Sequence, residues 1–382
     1  MAGLYVHVPF CVKRCIYCDF YSNVRMEYKD DYLSAVIREM KMRRDYLSGE
    51  PVKTVYFGGG TPSLLSACDF ERLFDAIYQL FPFLPDSEIT VEVNPDDLSE
   101  EYISSLAKLP FNRISAGIQS FNEADLRLLN RRHTAADAMK AVYRCKDAGF
   151  DNISIDLIYG LPGQTAGEWS DNIEKAIALD VSHISAYNLT YEDGTPIYDK
   201  VKRGDVQPVE DDLCELFFFM LRQKLVDADF VHYEISNFAK SSPSYPEGRI
   251  SLHNSSYWTG VRYLGVGPSA HSYNGESRSR NISSLSTYIR AINEKSEIPH
   301  ETEYPDERTK YNDFVITRLR TMWGISLDEL RKEFGKKMEC CFLKKSEPFL
   351  RSKKLKVEGG YVKISPDSLF ISDTIMRELI AI

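Results

Sequence analysis

Short apolar runs alternate with longer stretches of helical periodicity over the first half of the chain. Six runs have the length and the β-branched or aromatic content of buried strands: LYVHV, KTVYF, EITVEV, RISAGI, ISIDLIYG and HISAYNL. Helical patterns occupy residues 28–44, 70–80, 135–148 and 168–179. Strands that alternate with helices predict parallel βα units. Each run ends in a turn residue, and the loops at the carboxyl face of a βα barrel carry its chemistry.

The pattern changes after residue 190. A helical stretch at 213–226 is followed by irregular sequence, rich in Ser, Pro, Tyr and Gly, up to residue 275. From about residue 285 the chain is helical again, and it closes with KLKVEGGYVKISP, in which two glycines between polar runs predict a β-hairpin. A chain of 382 residues exceeds one ordinary core. We expect a large domain at 1–290 and a smaller one at 291–382.

The composition is that of a globular protein in water, with 43% hydrophobic and 27% charged residues. The formal net charge of −9 argues against a nucleic-acid partner, because neutralising phosphates requires a surplus of Lys and Arg. The first ten residues, MAGLYVHVPF, do not have the pattern of a secretion signal, and no apolar run approaches 18 residues. We therefore expect a cytoplasmic location, where structural disulfides are rare.

Three of the eight cysteines lie just after the first predicted strand. Cys11, Cys15 and Cys18 have the spacing C-x3-C-x2-C. Three thiolates can hold three irons of a [4Fe–4S] cluster, whereas a purely structural cluster generally has four cysteine ligands. The open iron would leave a position for a ligand, as in catalytic metal sites. A zinc ion completed by His7 or Asp19, or three unrelated thiols, is the alternative. Cysteines within helical patterns are expected to be small buried residues instead; they are Cys68, Cys145 and Cys214.

A glycine run follows the second predicted strand. TVYFGGGTP leads from the strand into Gly58, Gly59 and Gly60, and then into Thr61. Glycines let a backbone approach a ligand closely, and their amides can bind its polar groups. The run lacks the Lys of a phosphate-binding loop and the spacing of a dinucleotide fingerprint. Alone, it is as well explained by a tight turn.

With these motifs in place, the chain resembles the radical S-adenosylmethionine (SAM) superfamily and, within it, the coproporphyrinogen III oxidase-like branch. The resemblance covers most of the chain and rests on HVPFC, GGGTP, VEVNP, GIQSF, LNRRH and IDLIYGLPGQ, which stand in the family's order. It implies an α/β fold, a partial (β/α)6 TIM-like barrel, followed by a small C-terminal helical, winged-helix-like domain from about residue 305. It also implies a [4Fe–4S] cluster held by the three cysteines, with SAM on the open iron.

The same resemblance implies two sets of SAM contacts. Those at the cluster are Tyr5, Gly59 and Glu92. Those of a second SAM site are Tyr17, Gly60, Thr61, Gln119, Arg131, Asp156 and Thr190. The residue types suit these roles, because strand-end carboxylates can accept ribose hydroxyls or an ammonium group, and an Arg can hold a carboxylate with two hydrogen bonds. Any one of them alone would equally be a surface residue or a helix cap.

The chain departs in two respects from the porphyrinogen-oxidising members of this branch. Porphyrinogen-oxidising members carry C-x3-C-x2-C-x-C and a long segment before it, whereas here Phe20 occupies the fourth cysteine position and ten residues precede Cys11. Further along, HNSSYW leads into YLGVGPSAHS, which resembles the HemW-type heme chaperones. On this resemblance His253 would ligate heme iron between aromatic faces, and His271 is the next ligand candidate or a SAM contact. A structural, hydrogen-bonded histidine is the alternative.

Residues 331–356 are basic in an acidic protein, with ten Lys and Arg against three Glu, a local net charge of +7. Such a run is usually a solvated face. The functional alternative is a docking surface for anionic lipid headgroups, through which the protein would associate peripherally with a membrane.

The function that these patterns favour is heme binding and delivery to acceptor hemoproteins, with the radical SAM site retained. The rival is an oxygen-independent coproporphyrinogen III oxidase, in which cleavage of SAM yields a radical that takes hydrogen from a porphyrinogen propionate. A binding module with a purely structural cluster is the third reading. The sequence leaves the enzymatic status open among them.

Overall fold

Six parallel strands form the centre of a twelve-stranded sheet in the computed structural model, which describes residues 1–381. They are neighbours in chain order, and all six correspond to predicted strands. Their bounds are β1 (Ala2–Val8), β2 (Val52–Gly59), β3 (Phe83–Val93), β4 (Arg113–Gln119), β5 (Ile153–Tyr159) and β6 (His183–Asn188). Parallel neighbours require long crossovers, and the chain supplies them as helices.

The helices between these strands bury an apolar face against the sheet. They are α1 (Lys29–Met42), α2 (Ala67–Leu80), α3 (Glu100–Leu106), α4 (Glu123–Leu128), α5 (Ala135–Asp147) and α6 (Ala166–Ala178). The four predicted helices correspond to α1, α2, α5 and α6. Ser66, Thr134 and Thr165 each close a capping box, which satisfies backbone N–H groups at the helix start and fixes where the helix begins.

The sheet extends beyond the six parallel strands on both sides. After α7 (Pro196–Lys202) and α8 (Asp211–Asp227), β7 (Phe230–Glu234) and β8 (Asn237–Lys240) form an antiparallel pair next to β6. After α9 (Leu252–Trp258), β9 (Tyr263–Val266) lies parallel to β1. The sheet then continues antiparallel through β10 (His271–Tyr273), β11 (Arg278–Asn281) and, after α10 (Leu285–Arg290), β12 (His300–Glu303).

The segment between α8 and residue 275, which the sequence pattern predicts to be irregular, therefore contains regular elements. None of β7 to β10 or α9 is longer than seven residues. Elements this short span too few residues for a period to be visible in sequence.

The two faces of the parallel strands differ sharply. Alternate strand residues are apolar and pack against the helices, as Val6, Phe57 and Ile155 do. The residues between them face the inside of the curved sheet and are largely polar, as Tyr56 and Asp156 are. Because strand side chains alternate between faces, this pattern places polar side chains inside the barrel and the hydrophobic core between the sheet and the surrounding helices.

The C-terminal part of the chain has a separate hydrophobic cluster. Three helices, α11 (Glu307–Leu319), α12 (Leu327–Arg351, kinked at Gly335) and α13 (Ser372–Leu379), surround a small antiparallel sheet in the order β13-β15-β14. Its strands are β13 (Ile325–Ser326), β14 (Leu355–Glu358) and β15 (Tyr361–Ile364). The predicted hairpin is confirmed, since Gly359 and Gly360 join β14 to β15. The strand β12 still belongs to the large sheet, and a domain boundary near residue 290 stays a prediction.

Candidate cluster and cofactor cavity

A cavity of about 670 Å³ opens at the carboxyl ends of the parallel strands. Its wall contains twelve of the fifteen residues predicted from sequence to bind the cluster, SAM or heme. The twelve are Cys11, Cys15, Tyr17, Cys18, Gly59, Gly60, Thr61, Glu92, Gln119, Arg131, Asp156 and Thr190. Because carboxyl ends of parallel strands meet at one edge, residues scattered over 180 positions converge here. Their individual roles stay predictions.

The three cysteines lie on the loop that follows β1. All three are half-buried and free of disulfides. Cys11 Sγ is hydrogen-bonded to Thr61 Oγ1 at 3.4 Å, and Arg131 Nη1 donates to Cys15 Sγ at 3.4 Å. Burial raises the pKa of Cys11, and it raises the pKa of Cys18 to about 11. Without a bound metal Cys11 and Cys18 are therefore thiols, whereas metal coordination deprotonates a thiol outright.

Two glycines of the run are explained by the close approach of β1 and of the backbone that follows it. Gly59 has a φ of +109°, and a Cβ there would lie 2.5 Å from the His7 ring. A Cβ at Gly60 would lie 2.6 Å from the Phe10 carbonyl oxygen. Glycine is thus required at both positions to let the end of β2 pack directly against β1 and the backbone that leads into the cysteine loop.

Glu92 and Asp156 place two buried carboxyl groups in the cavity wall. Glu92 accepts hydrogen bonds from the Tyr56 hydroxyl at 2.7 Å and from the Gly59 N–H at 3.0 Å. Burial raises the pKa of Glu92 to about 7 and that of Asp156 to about 6. Both groups therefore change charge near neutral pH, and both can accept hydrogen bonds from ligand hydroxyl or ammonium groups.

Arg131 ties the cysteine loop to the barrel. Its Nη2 donates to Asn94 Oδ1 at 2.8 Å and to the Gly117 carbonyl at 2.5 Å, while Nη1 reaches Cys15. The side chain thus joins β4, the segment after β3 and the cluster loop. Its Nε is buried and has no hydrogen-bond partner among the described residues.

Tyr5 lies behind the cavity wall rather than in it. Its hydroxyl donates to His7 Nδ1 at 3.0 Å, and His7 Nε2 donates to the Tyr21 carbonyl at 2.9 Å. The Tyr5 ring stacks on Tyr56 with centroids 6.2 Å apart. In this arrangement Tyr5 supports the residues that face the ligand space, and its predicted contact with SAM stays a prediction.

The two predicted heme ligands also lie outside the cavity wall. His253 is in α9 rather than in a loop, is 1% exposed, and bonds through Nδ1 to Thr54 Oγ1 and through Nε2 to the Tyr257 hydroxyl, both at 2.8 Å. Neither ring nitrogen is free to bind iron in this conformation, which favours the structural alternative. His271 is exposed at the start of β10. Heme ligation by either residue stays a prediction.

Two parts of the chain match known protein families. A model described as the radical SAM superfamily matches residues 5–176, and one described as the HemN C-terminal domain matches residues 306–371. The protein called heme chaperone HemW of Bacillus subtilis is 34% identical over 347 residues, which cover 90% of this chain and 89% of the relative. The HemW of Lactococcus lactis is 36% identical, with coverages of 89% and 86%.

The chain belongs to the HemW family. A solved structure of coproporphyrinogen III oxidase (HemN) from Escherichia coli covers all of this chain and 90% of its own, with a TM-score of 0.82 and 23% identity. This likeness shows a shared fold, and it confirms the predicted radical SAM α/β fold with a C-terminal HemN-type domain. Radical SAM proteins use a [4Fe–4S] cluster and SAM, so membership implies both cofactors for HemW proteins.

The donor set of this HemW-family protein fits such a cluster. In residues 1–381, no three His, Cys, Asp or Glu side chains converge closely enough to hold a single metal ion. The three thiols instead spread along one loop and face the same cavity, with the guanidinium of Arg131 beside one of them. Phe20, at the position of the absent fourth cysteine, is 64% exposed and also lines the cavity.

Sequence patterns did not identify several residues that line the cavity of this HemW-family protein. Arg113 is the first residue of β4, and the apolar side chains of Phe218, Leu369 and Phe370 form another part of the wall. Arg113 is the only charged residue of β4, and this was the signal available in the sequence. No local signal marks the other three, because α8 and the segment before α13 meet only in the tertiary fold.

The basic run lies mainly on α12. Some of its charges are paired, since Arg331 forms two hydrogen bonds with Glu339, and Lys345 donates to the Ile380 carbonyl. We call the exposed lysines without such a pair the basic surface; they are Lys332, Lys336, Lys337, Lys344 and Lys353. Among the described residues, no helix is both long enough and apolar enough to span a membrane. The predicted lipid contact stays a prediction.

Cysteines outside the loop follow the sequence expectation in two of three cases. Cys145 and Cys214 are buried, as predicted. The prediction for Cys68 is wrong, because it lies on the solvent side of α2 and is exposed. Cys340 and Cys341 are exposed on α12.

Proposed function

We propose that this protein binds heme and delivers it to hemoproteins, and that it holds a SAM-ligated [4Fe–4S] cluster on the loop with Cys11, Cys15 and Cys18. The observation that carries the proposal is the match, over nearly their whole length, to bacterial proteins that are called heme chaperones. The proposed location is the cytoplasm, with the basic surface in contact with anionic membranes.

The cavity supports the cofactor part of the proposal. When bound, the cluster supplies an open iron on which the amino and carboxylate groups of SAM are held. Arg131 fixes the cysteine loop against β4, so the three thiolates are presented together. Glu92 and Asp156 provide hydrogen-bond acceptors for the hydroxyl and ammonium groups of the cofactor. Glu92 is positioned in turn by Tyr56 and Gly59.

The far wall of the cavity supports the heme part. Phe218 and Phe370 lie with ring centroids 5.8 Å apart, and Leu369 continues their apolar surface. A flat macrocycle is held mainly by apolar and aromatic faces. Between the two predicted ligands, His271 is the one whose ring reaches solvent and can meet iron without disrupting a helix. We therefore propose His271 as the heme ligand. It lies outside the cavity wall, so a heme ligated by His271 lies at the exposed start of β10, and the aromatic wall of the cavity is a separate apolar surface.

The discriminating experiment runs two assays on one anaerobically reconstituted preparation. Heme binding is followed by the Soret band, and coproporphyrinogen III is incubated with SAM and a reductant. The proposal predicts a saturable Soret change and no protoporphyrinogen. Turnover to the doubly decarboxylated product would replace it with the oxidase function.

Histidine variants test the ligand separately. His271→Ala should weaken or shift the Soret band, whereas His300→Ala, which removes the imidazole of another exposed histidine, should not. Equal spectra for the wild type and both variants would show that His271 is not the ligand, without affecting the binding claim itself.

A further inference from the structure

Two of the three guanidinium nitrogens of Arg113 are buried inside the barrel without a hydrogen-bond partner in the described part of the chain. Arg113 is the first residue of β4, is 1% exposed and lines the cavity. Its Nε and Nη1 have no hydrogen-bond partner among residues 1–381. An arginine stays charged in proteins, so it cannot relieve its burial by losing a proton.

The nearby carboxylates of Glu92 and Asp156 do not serve as hydrogen-bond partners of Arg113. Burial raises the pKa values of both Glu92 and Asp156, and the positive charge of Arg113 offsets part of each rise, so both carboxyl groups lie in its field. The two oxygens of Glu92, however, already accept hydrogen bonds from Tyr56 and Gly59. Among the described residues, no hydrogen bond joins Nε or Nη1 of Arg113 to Glu92 or Asp156. A buried charge is costly unless it is paired and hydrogen-bonded. The free face of the guanidinium is therefore left to something that enters the cavity.

Arg113 is also remote from the cluster loop. It lies four residues before Gly117 on β4, which is about 13 Å at a strand rise of about 3.3 Å per residue. The Gly117 carbonyl is where Arg131 anchors the loop of Cys15. The cavity therefore has two cations at different depths, with Arg131 beside the cysteines and Arg113 on the floor, and Asp156 lies in the field of both. A group bound at Arg113 lies deeper in the cavity than one bound beside the cysteines.

We propose that Arg113 binds a carboxylate of a ligand that occupies this cavity. The planar guanidinium matches a carboxylate with two parallel hydrogen bonds, and Ser115, on the same strand face and in the cavity wall, adds a hydroxyl nearby. Two ligands carry this chemistry: a macrocycle with propionate side chains, which rests on the proposed heme function, and a second SAM molecule with its amino-acid carboxylate.

The test compares each ligand with a partner that lacks the carboxylate. Deuteroporphyrin IX is compared with its dimethyl ester by fluorescence titration, and SAM with decarboxylated SAM by calorimetry. The variants are Arg113→Gln, which removes the charge, and Arg113→Lys, which keeps it. Arg72→Gln, an exposed arginine on the outer face of α2, is the matched control.

The proposal predicts that the wild type prefers the carboxylate form of one ligand by about tenfold to a hundredfold, the range for hydrogen bonds between charged groups. Arg113→Gln should bring that ratio close to one, Arg113→Lys should restore part of it, and Arg72→Gln should leave it unchanged. Loss of the porphyrin preference identifies a propionate, and loss of the SAM preference identifies the cofactor.

The opposite results overturn the proposal. If both ratios in Arg113→Gln equal those of the wild type, or if the wild type shows no preference in either arm, Arg113 is not a carboxylate site. A wild type that binds no porphyrin defeats the heme function, and the SAM arm still decides the role of Arg113. The unfolding midpoint of ligand-free Arg113→Gln is the second measurement: an unpaired guanidinium predicts no loss of stability, whereas a purely structural role predicts a marked loss.

Discussion

His253→Ala separates a structural histidine from a heme ligand. The ring is 1% exposed, bonds Thr54 and Tyr257 at 2.8 Å each, and stacks on Tyr56 with centroids 5.0 Å apart. Removing it leaves two buried hydroxyl groups unsatisfied, at about 1–3 kcal/mol each, and opens a space in the barrel wall. Neighbouring side chains relax partly into the space, which reduces the total of these costs. We therefore expect the free energy of unfolding to fall by about 3 kcal/mol.

The assay is urea unfolding of the ligand-free protein, followed by circular dichroism, together with the Soret spectrum of the folded variant after heme addition. His271→Ala and His300→Ala are the controls, because exposed substitutions usually change stability by less than about 0.5 kcal/mol. We expect His253→Ala to be destabilised and to keep the wild-type Soret position. Wild-type stability combined with a lost Soret band would refute this reasoning and restore His253 as the ligand.

Three further predictions concern the cluster, the buried carboxyl and the basic surface. Cys15→Ala should lose the broad brown absorbance of the reconstituted protein, whereas Cys68→Ala, which removes an exposed cysteine on α2, should keep it; four irons per chain in Cys15→Ala would contradict the assignment. The folded-state pKa of Glu92, about 7, lies above its ordinary value of 4.5, so the protonated carboxyl stabilises the fold below pH 4.5 and this contribution is lost as pH rises through 7. Between pH 4.5 and pH 7 the urea midpoint should therefore fall less in Glu92→Gln than in the wild type. If the midpoints of both proteins change with pH in the same way, titration of Glu92 is not the cause. Reversing the charges of the basic surface should weaken sedimentation with anionic liposomes, more at low salt because screening sets in within about 8–10 Å at physiological ionic strength; equal sedimentation would leave it a solvated face.

The parallel strands and the cavity residues were predictable for different reasons. Each strand is an apolar run bounded by turn residues, so β1 to β6 are visible in the pattern alone. The cavity residues follow from the family motifs, since nothing local distinguishes Glu92 or Asp156 from a surface carboxylate. Their convergence is a consequence of parallel topology, which brings all the strand ends to one edge.

The remaining features depend on tertiary contacts. The burial of His253 arises because β2 and α9 meet, and the two are about 200 residues apart in sequence. The aromatic wall needs α8 and the segment that leads into α13, again distant along the chain. The glycine run looked like a ligand loop, and the closest neighbours of Gly59 and Gly60 proved to be His7 of β1 and the backbone that leads from β1 into the cysteine loop. Such pairings leave no periodicity in sequence.

The most direct test of the central claim is an absorbance titration of the anaerobically reconstituted protein with heme. The account predicts a Soret band distinct from that of free heme, saturation near one heme per chain, and unchanged iron–sulfur absorbance, because the cluster loop and His271 belong to separate elements. A linear increase that matches free heme at every addition would contradict it.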